Sequence, residues 1–144
     1  MIRQATKTDT HTLAELALQL WPDNTLPGLQ AEFETLACSG EAACFLLFAD
    51  DAPVGFAQCQ LRHDYVEGTD TSPVGYLEGI FVQSEYRHKG FAKELLQECE
   101  KWAKEMRCSE FASDCELDNE DSLNFHLSMG FEEANRIICF RRKI

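Results

Sequence analysis

Basic residues are scarce in this chain. Thirteen Lys and Arg stand against 25 Asp and Glu, a formal net charge of −12 over 144 residues. A surface of that sign repels nucleic acid and anionic lipid, so neither is expected as a partner. It attracts a polycation. Long apolar runs are also missing. Nothing approaches the roughly 20 residues of a membrane span, and Met1-Ile2-Arg3-Gln4 opens no apolar export signal. Paired cysteine motifs are absent as well. None of Cys38, Cys44, Cys59, Cys99, Cys108, Cys115 and Cys139 forms a C-x-x-C pair, and their number is odd. That argues against a zinc site or a disulfide framework and for reduced thiols in a cytoplasmic protein. Most of them should act as small apolar core residues. No repeat or low-complexity linker interrupts the chain, so a single domain over 1–144 is expected.

What is present alternates between strand and helix signals. Ile2 to Ala5 reads as a short strand. Thr8 or Asp9 can cap a helix with Leu13, Leu16, Ala17 and Leu20 on one stripe. A second helix runs from near Pro27 to Ser39-Gly40. Ala43 to Ala49 and Val54 to Leu61 form a hairpin about Asp50-Asp51-Ala52-Pro53. His63 to Pro73 is a polar loop, Val74 to Val82 a strand, and Gly90 to Met106 an amphipathic helix. Glu110 to Asp114 is a strand and Asn119 to Met129 a helix. Phe131 to Glu133 and Ile137 to Arg142 close the chain as a hairpin about Ala134-Asn135. Antiparallel and crossover connections together predict an α+β class, with a mixed sheet packed by helices.

Two constellations carry chemistry. One is Arg87-His88-Lys89-Gly90-Phe91-Ala92-Lys93, which follows the strongest strand and opens the most amphipathic helix. Cationic side chains, a slim glycine turn and the free N–H groups of a helix start converge on one point, as a bound pyrophosphate requires. The other is acidic and aromatic: Trp21, Tyr65, Glu78 and Asp114, with Asp64, Glu67 and Asp70 nearby in sequence. Glu78 lies inside the apolar run Tyr76-Leu77-Glu78-Gly79-Ile80. A carboxylate there is costly without a partner or a task.

Arg87-x-x-Gly90-x-Ala92 resembles the acyl-CoA loop of the GNAT superfamily of N-acetyltransferases. The likeness extends to the hairpin Asp51-x-Pro53-Val54-Gly55-Phe56-Ala57 and to Asn119-x-x-Ser122-x-x-Phe125-His126-x-x-x-Gly130-Phe131. It implies the GNAT fold, a mixed central sheet of about seven strands flanked by about four helices. It further implies acetyl-CoA as co-substrate and no metal. Within the superfamily, Leu20-Trp21-Pro22, Arg62-His63-Asp64-Tyr65-Val66, Ser72-Pro73, Leu77 to Val82 and Ala112-Ser113-Asp114 resemble the aminoglycoside 6′-N-acetyltransferases. That match implies a cationic aminoglycoside lined by Trp21, Tyr65, Glu78, Asp114 and Asn135. It also implies a homodimer whose C-terminal hairpins border the partner's substrate site.

The expected reaction is direct attack of a 6′-amine on the thioester. Glu78 or Asp114 would take the amine proton or position the amine. A bulge near Glu78 would leave the Ile80 N–H free for the developing oxyanion. Ile80, Phe81 and Val82 would pair with the pantetheine arm. Arg87 to Lys93 would hold the pyrophosphate, with Asn119 and His126 also at the cofactor. His126 stands where many members carry a tyrosine that protonates the thiolate, and histidine can act as an acid or merely bond the cofactor. Two other functions fit the same residues: acetylation of a polyamine or peptide N-terminus, and a non-catalytic acyl-CoA-binding module.

Overall fold

The computed structural model describes residues 1–144. Five strands form one sheet in the order β1 (Ile2–Gln4), β2 (Ala42–Ala49), β3 (Ala52–Arg62), β4 (Val74–Val82) and β5 (Phe111–Ser113). The first four pair antiparallel. β5 joins parallel to β4 after a crossover through α3 (Phe91–Glu105). Before the hairpin lie α1 (Thr10–Leu20) and α2 (Leu26–Ala37), and α4 (Glu120–Ser128) follows β5.

Local chemistry sets the element starts. Asp9 and Thr6 form a capping box ahead of α1, and the Arg3 guanidinium clamps the Asp9 carboxylate at 2.8 Å. Thr25 caps α2 by accepting the Gly28 N–H at 3.2 Å, with Pro27 in the first turn. The tight β2–β3 turn places Asp50 and Asp51 at positive φ, where aspartate is among the better-tolerated residues.

The sheet is covered on both faces, which explains why β2 reads as an unbroken apolar run. Phe45 and Leu47 point to one side, against Leu95, Leu96, Cys99 and Trp102 of α3. Cys44 and Leu46 point to the other, against Leu13, Leu16, Leu29 and Phe33 of α1 and α2. Four of the cysteines are buried as small core residues, and three, Cys38, Cys115 and Cys139, are exposed. Burial, with the neighbouring Cys59 thiol, pushes the Cys44 thiol up to about 12.

The α+β class and four helices match expectation, but the sheet has five strands rather than about seven. The predicted hairpin of Phe131–Glu133 and Ile137–Arg142 has no strand pairing. Phe131 packs on Phe111 at 6.4 Å, and every residue beyond it is exposed. An isolated two-stranded hairpin is marginal in water, and β5, at three residues, offers little edge to pair with.

Candidate active site

β4 changes character halfway along. Gly75, Tyr76 and Leu77 pair with Phe111, Ala112 and Ser113 of β5, and there the pairing stops. From Glu78 to Val82 only β3 flanks the strand, so its other edge is bare. The change coincides with a bulge. Leu77 faces Cys59 and Gly79 faces Gln58, which makes Glu78 the extra residue. The expected bulge is therefore present, at the residue where pairing with β5 has just stopped.

Glu78 is not alone there. Arg62, at the end of β3, donates from Nε and one terminal nitrogen to Oε1 at 3.0 and 2.9 Å, and to Oε2 at 2.9 Å. The Arg62 guanidinium also lies 3.5 Å above the Tyr76 ring. The Tyr76 hydroxyl donates to Asp114. Burial, reinforced by that bond, holds the Tyr76 phenol well above its usual value, so it stays a donor at neutral pH. Glu78 and Asp114, both expected at the site, are thus joined through two residues that sequence reasoning had not assigned to it. The signal for them was available. Tyr76 sits two residues from Glu78 on a strand, and Arg62 is diagonal to Tyr76 in the antiparallel register.

Trp21 closes one side. A Cβ added at Gly79 would come within 2.7 Å of its indole ring, so the ring lies directly over the backbone next to Glu78. The ring also packs edge-on to Phe56 at 6.0 Å. Tyr65 stands 79% exposed on the loop between β3 and β4. Asn135 reaches the same loop, donating to Glu67 at 2.8 Å, while Ala134 crowds Gly68. Neither Tyr65 nor Asn135 hydrogen-bonds to Glu78 or Asp114. The loop is pinned by a residue not anticipated, Glu110. Its carboxylate accepts from the Thr71 hydroxyl at 2.6 Å and from the Thr71 and Asp70 N–H groups at 2.8 and 2.9 Å. Those bonds, the Thr71 hydroxyl first, hold the Glu110 carboxyl below its ordinary value.

The bare edge of β4 leads through a single turn, Ser84–Tyr86, to the start of α3. His88 and Gly90 both adopt positive φ, 59° and 86°. No side chain caps α3, and its first backbone bond runs from the Glu94 N–H to the Gly90 carbonyl. The N–H groups of the first turn are therefore free for an anion. A Cβ at Gly90 would meet nothing, so the glycine is demanded by its φ rather than by crowding within the chain. Arg87 donates its Nε to the Val82 carbonyl at 2.7 Å, which ties it to the strand end. His88, Lys89 and Lys93 are exposed beside it.

Across the opening, Asn119 caps α4 by accepting the Ser122 N–H at 3.1 Å, and its amide nitrogen makes no protein bond. His126 bridges α4 to β5. Its Nε2 lies 2.7 Å from the Ser113 hydroxyl, and its Nδ1 lies 2.6 Å from the Ser122 carbonyl oxygen. Ser113 in turn donates to the Leu77 carbonyl at 3.3 Å, at the last paired rung of β4 and β5. His126 is thus a bonded member of the opening rather than a free helix residue.

A model of the acetyltransferase (GNAT) family matches residues 10–131. An aminoglycoside N(6′)-acetyltransferase type 1 of Salmonella enteritidis is 39% identical over 142 residues, covering 99% of this chain and 98% of that protein. A crystal structure of aminoglycoside N-acetyltransferase AAC(6′)-Iy in complex with CoA superposes with a TM-score of 0.96 at 39% identity, covering 100% of this chain and 95% of the other. A second, of AAC(6′)-Iy with the bisubstrate analogue CoA-S-monomethyl-acetylneamine, has a TM-score of 0.95 at 39% identity, with 100% and 98% covered.

Proposed function

The chain belongs to the acetyltransferase (GNAT) family, and from that premise we propose that it moves the acetyl group of acetyl-CoA to the 6′-amino group of an aminoglycoside. The observation that carries this reading is the half-bare β4. A carboxylate network stands at the point where β5 leaves, and an uncapped, glycine-started helix follows the bare edge.

The residues fit acetyl-CoA. The free N–H groups at Gly90 to Lys93 and the cations Arg87, His88, Lys89 and Lys93 suit its pyrophosphate. The bare edge at Ile80, Phe81 and Val82 offers backbone groups to its pantetheine arm, and the Asn119 amide is free to reach it. When bound, it supplies an activated thioester carbonyl. The chain's own residues do the rest. Glu78 and Asp114 orient the cationic substrate and accept amine protons. Trp21 covers the Gly79 side, and Tyr65 and Asn135 line the loop side. The Ile80 N–H, next to the bulge, is the donor for the negative charge that grows on the carbonyl oxygen. His126 holds the far wall through Ser113.

The acidic balance supports a polycationic substrate, and no helix is long and apolar enough to cross a membrane. The exposed Ile137, Ile138 and Phe140 support a homodimer in which the C-terminal segment packs on a second copy. Purified protein with acetyl-CoA should release thiol with kanamycin or tobramycin far faster than with spermidine or a peptide bearing a free N-terminus. Faster release with spermidine or the peptide would overturn the aminoglycoside reading.

A further inference from the structure

Building on amine acetylation at Glu78, we propose that Arg62 is a positioning residue that holds the Glu78 carboxylate in one orientation and leaves acceptor capacity for the amine on Oε2. A carboxylate offers about four lone-pair positions. Arg62 engages it through two adjacent nitrogens, Nε on Oε1 at 3.0 Å and one terminal nitrogen shared between Oε1 and Oε2 at 2.9 Å, so Oε2 is the less occupied oxygen. The guanidinium is itself stacked 3.5 Å over the Tyr76 ring, which favours this one orientation. Tyr76 is buried and bonded to Asp114, so its plane is fixed from below. One cation therefore sets the direction of Glu78, and the phenol beneath it sets its spacing from Asp114.

The arrangement is unfavourable for substrate binding taken by itself. The Arg62 side chain is 37% exposed and Glu78 19%, so the guanidinium sits at the rim where a polycation must enter. Like charges set side by side oppose association. The gain lies in turnover: a fixed lone pair holds the amine in one attack geometry, and small misplacements of reacting groups cost large factors in rate.

This makes a prediction that a merely structural arginine would not. Arg62→Met should lower kcat about twentyfold while KM for kanamycin stays level or falls, because a repelling cation has gone. Arg62→Lys keeps the charge but not the planar fork, and should recover less than half of the lost kcat. In an Glu78→Gln background, Arg62→Met should change kcat less than about twofold, because the residue it positions is already disabled. Thermal unfolding of each variant checks that it is folded, and Arg62→Lys serves if Arg62→Met is not. Full recovery by Arg62→Lys, or multiplication of the two effects in the double variant, overturns the proposal. Absence of aminoglycoside turnover by the unsubstituted enzyme would instead strike the functional reading on which it rests.

Discussion

The two halves of β4 differ in what their residues are for. In Gly75 to Leu77 the strand is paired on both edges and every residue is buried. A Cβ at Gly75 would press within 2.6 Å of Phe111 and 2.7 Å of Ala103. In Glu78 to Val82 one edge is bare, and Glu78, Gly79 and Ile80 are only partly buried. The first half holds the sheet together and the second is left open for chemistry. One strand thus serves as scaffold and as the proposed site, with a bulge as the divider. Substitutions in the two halves should separate cleanly into stability effects and rate effects.

The largest effect belongs to the open half. Glu78→Gln should lower kcat/KM about a hundredfold, roughly 2.7 kcal/mol of transition-state stabilisation, with an unfolding midpoint near that of the parent. A loss under threefold in steady-state assays would remove Glu78 from the reaction. The paired half should answer in the opposite currency. Gly75→Val overpacks the contact with Phe111 and Ala103 and should cost about 2 kcal/mol in urea unfolding, with KM for acetyl-CoA unchanged in the folded fraction. Unaltered stability would show that the crowded half tolerates what its geometry forbids.

How far this division could be read from sequence depends on the residue. Glu78 announced itself as a charge in an apolar run, and the bulge was expected beside it. The start of α3 was legible because cations, glycine and amphipathic periodicity are local signals. Arg62, Tyr76 and Glu110 were not assigned, since their roles arise from cross-strand register and from a loop folding back on β5. The terminal hairpin was over-read. Ile137 to Arg142 alternate like a strand, but strand formation needs a partner edge, and the three-residue β5 offers only a short one.

Smaller effects sharpen the comparison at the rim of the open half. Trp21→Ala uncovers the Gly79 side and should raise KM for kanamycin about tenfold, near 1.4 kcal/mol, with kcat changed little. An unchanged KM would place the indole outside the substrate's reach. Smallest of all is Glu110→Gln, which loosens the loop carrying Tyr65 and should raise the same KM about threefold. The native Glu110 carboxyl lies below its ordinary value of 4.5. Its contribution is therefore full above pH 4.5 and fades as pH falls through the lower folded value. Protection of the Asp70 and Thr71 amides, relative to their intrinsic exchange rates, should fall over that acid range in the parent and not in the variant. Equal exchange in both would detach Glu110 from the loop.

In the proposed reaction the open half of β4 delivers a 6′-amine to a thioester. That delivery is tested most directly by thiol release from acetyl-CoA with an aminoglycoside bearing a 6′-amine and with its 6′-hydroxyl counterpart. Release with the amine and background with the hydroxyl compound are expected. Equal release with both, or none with either, would contradict it.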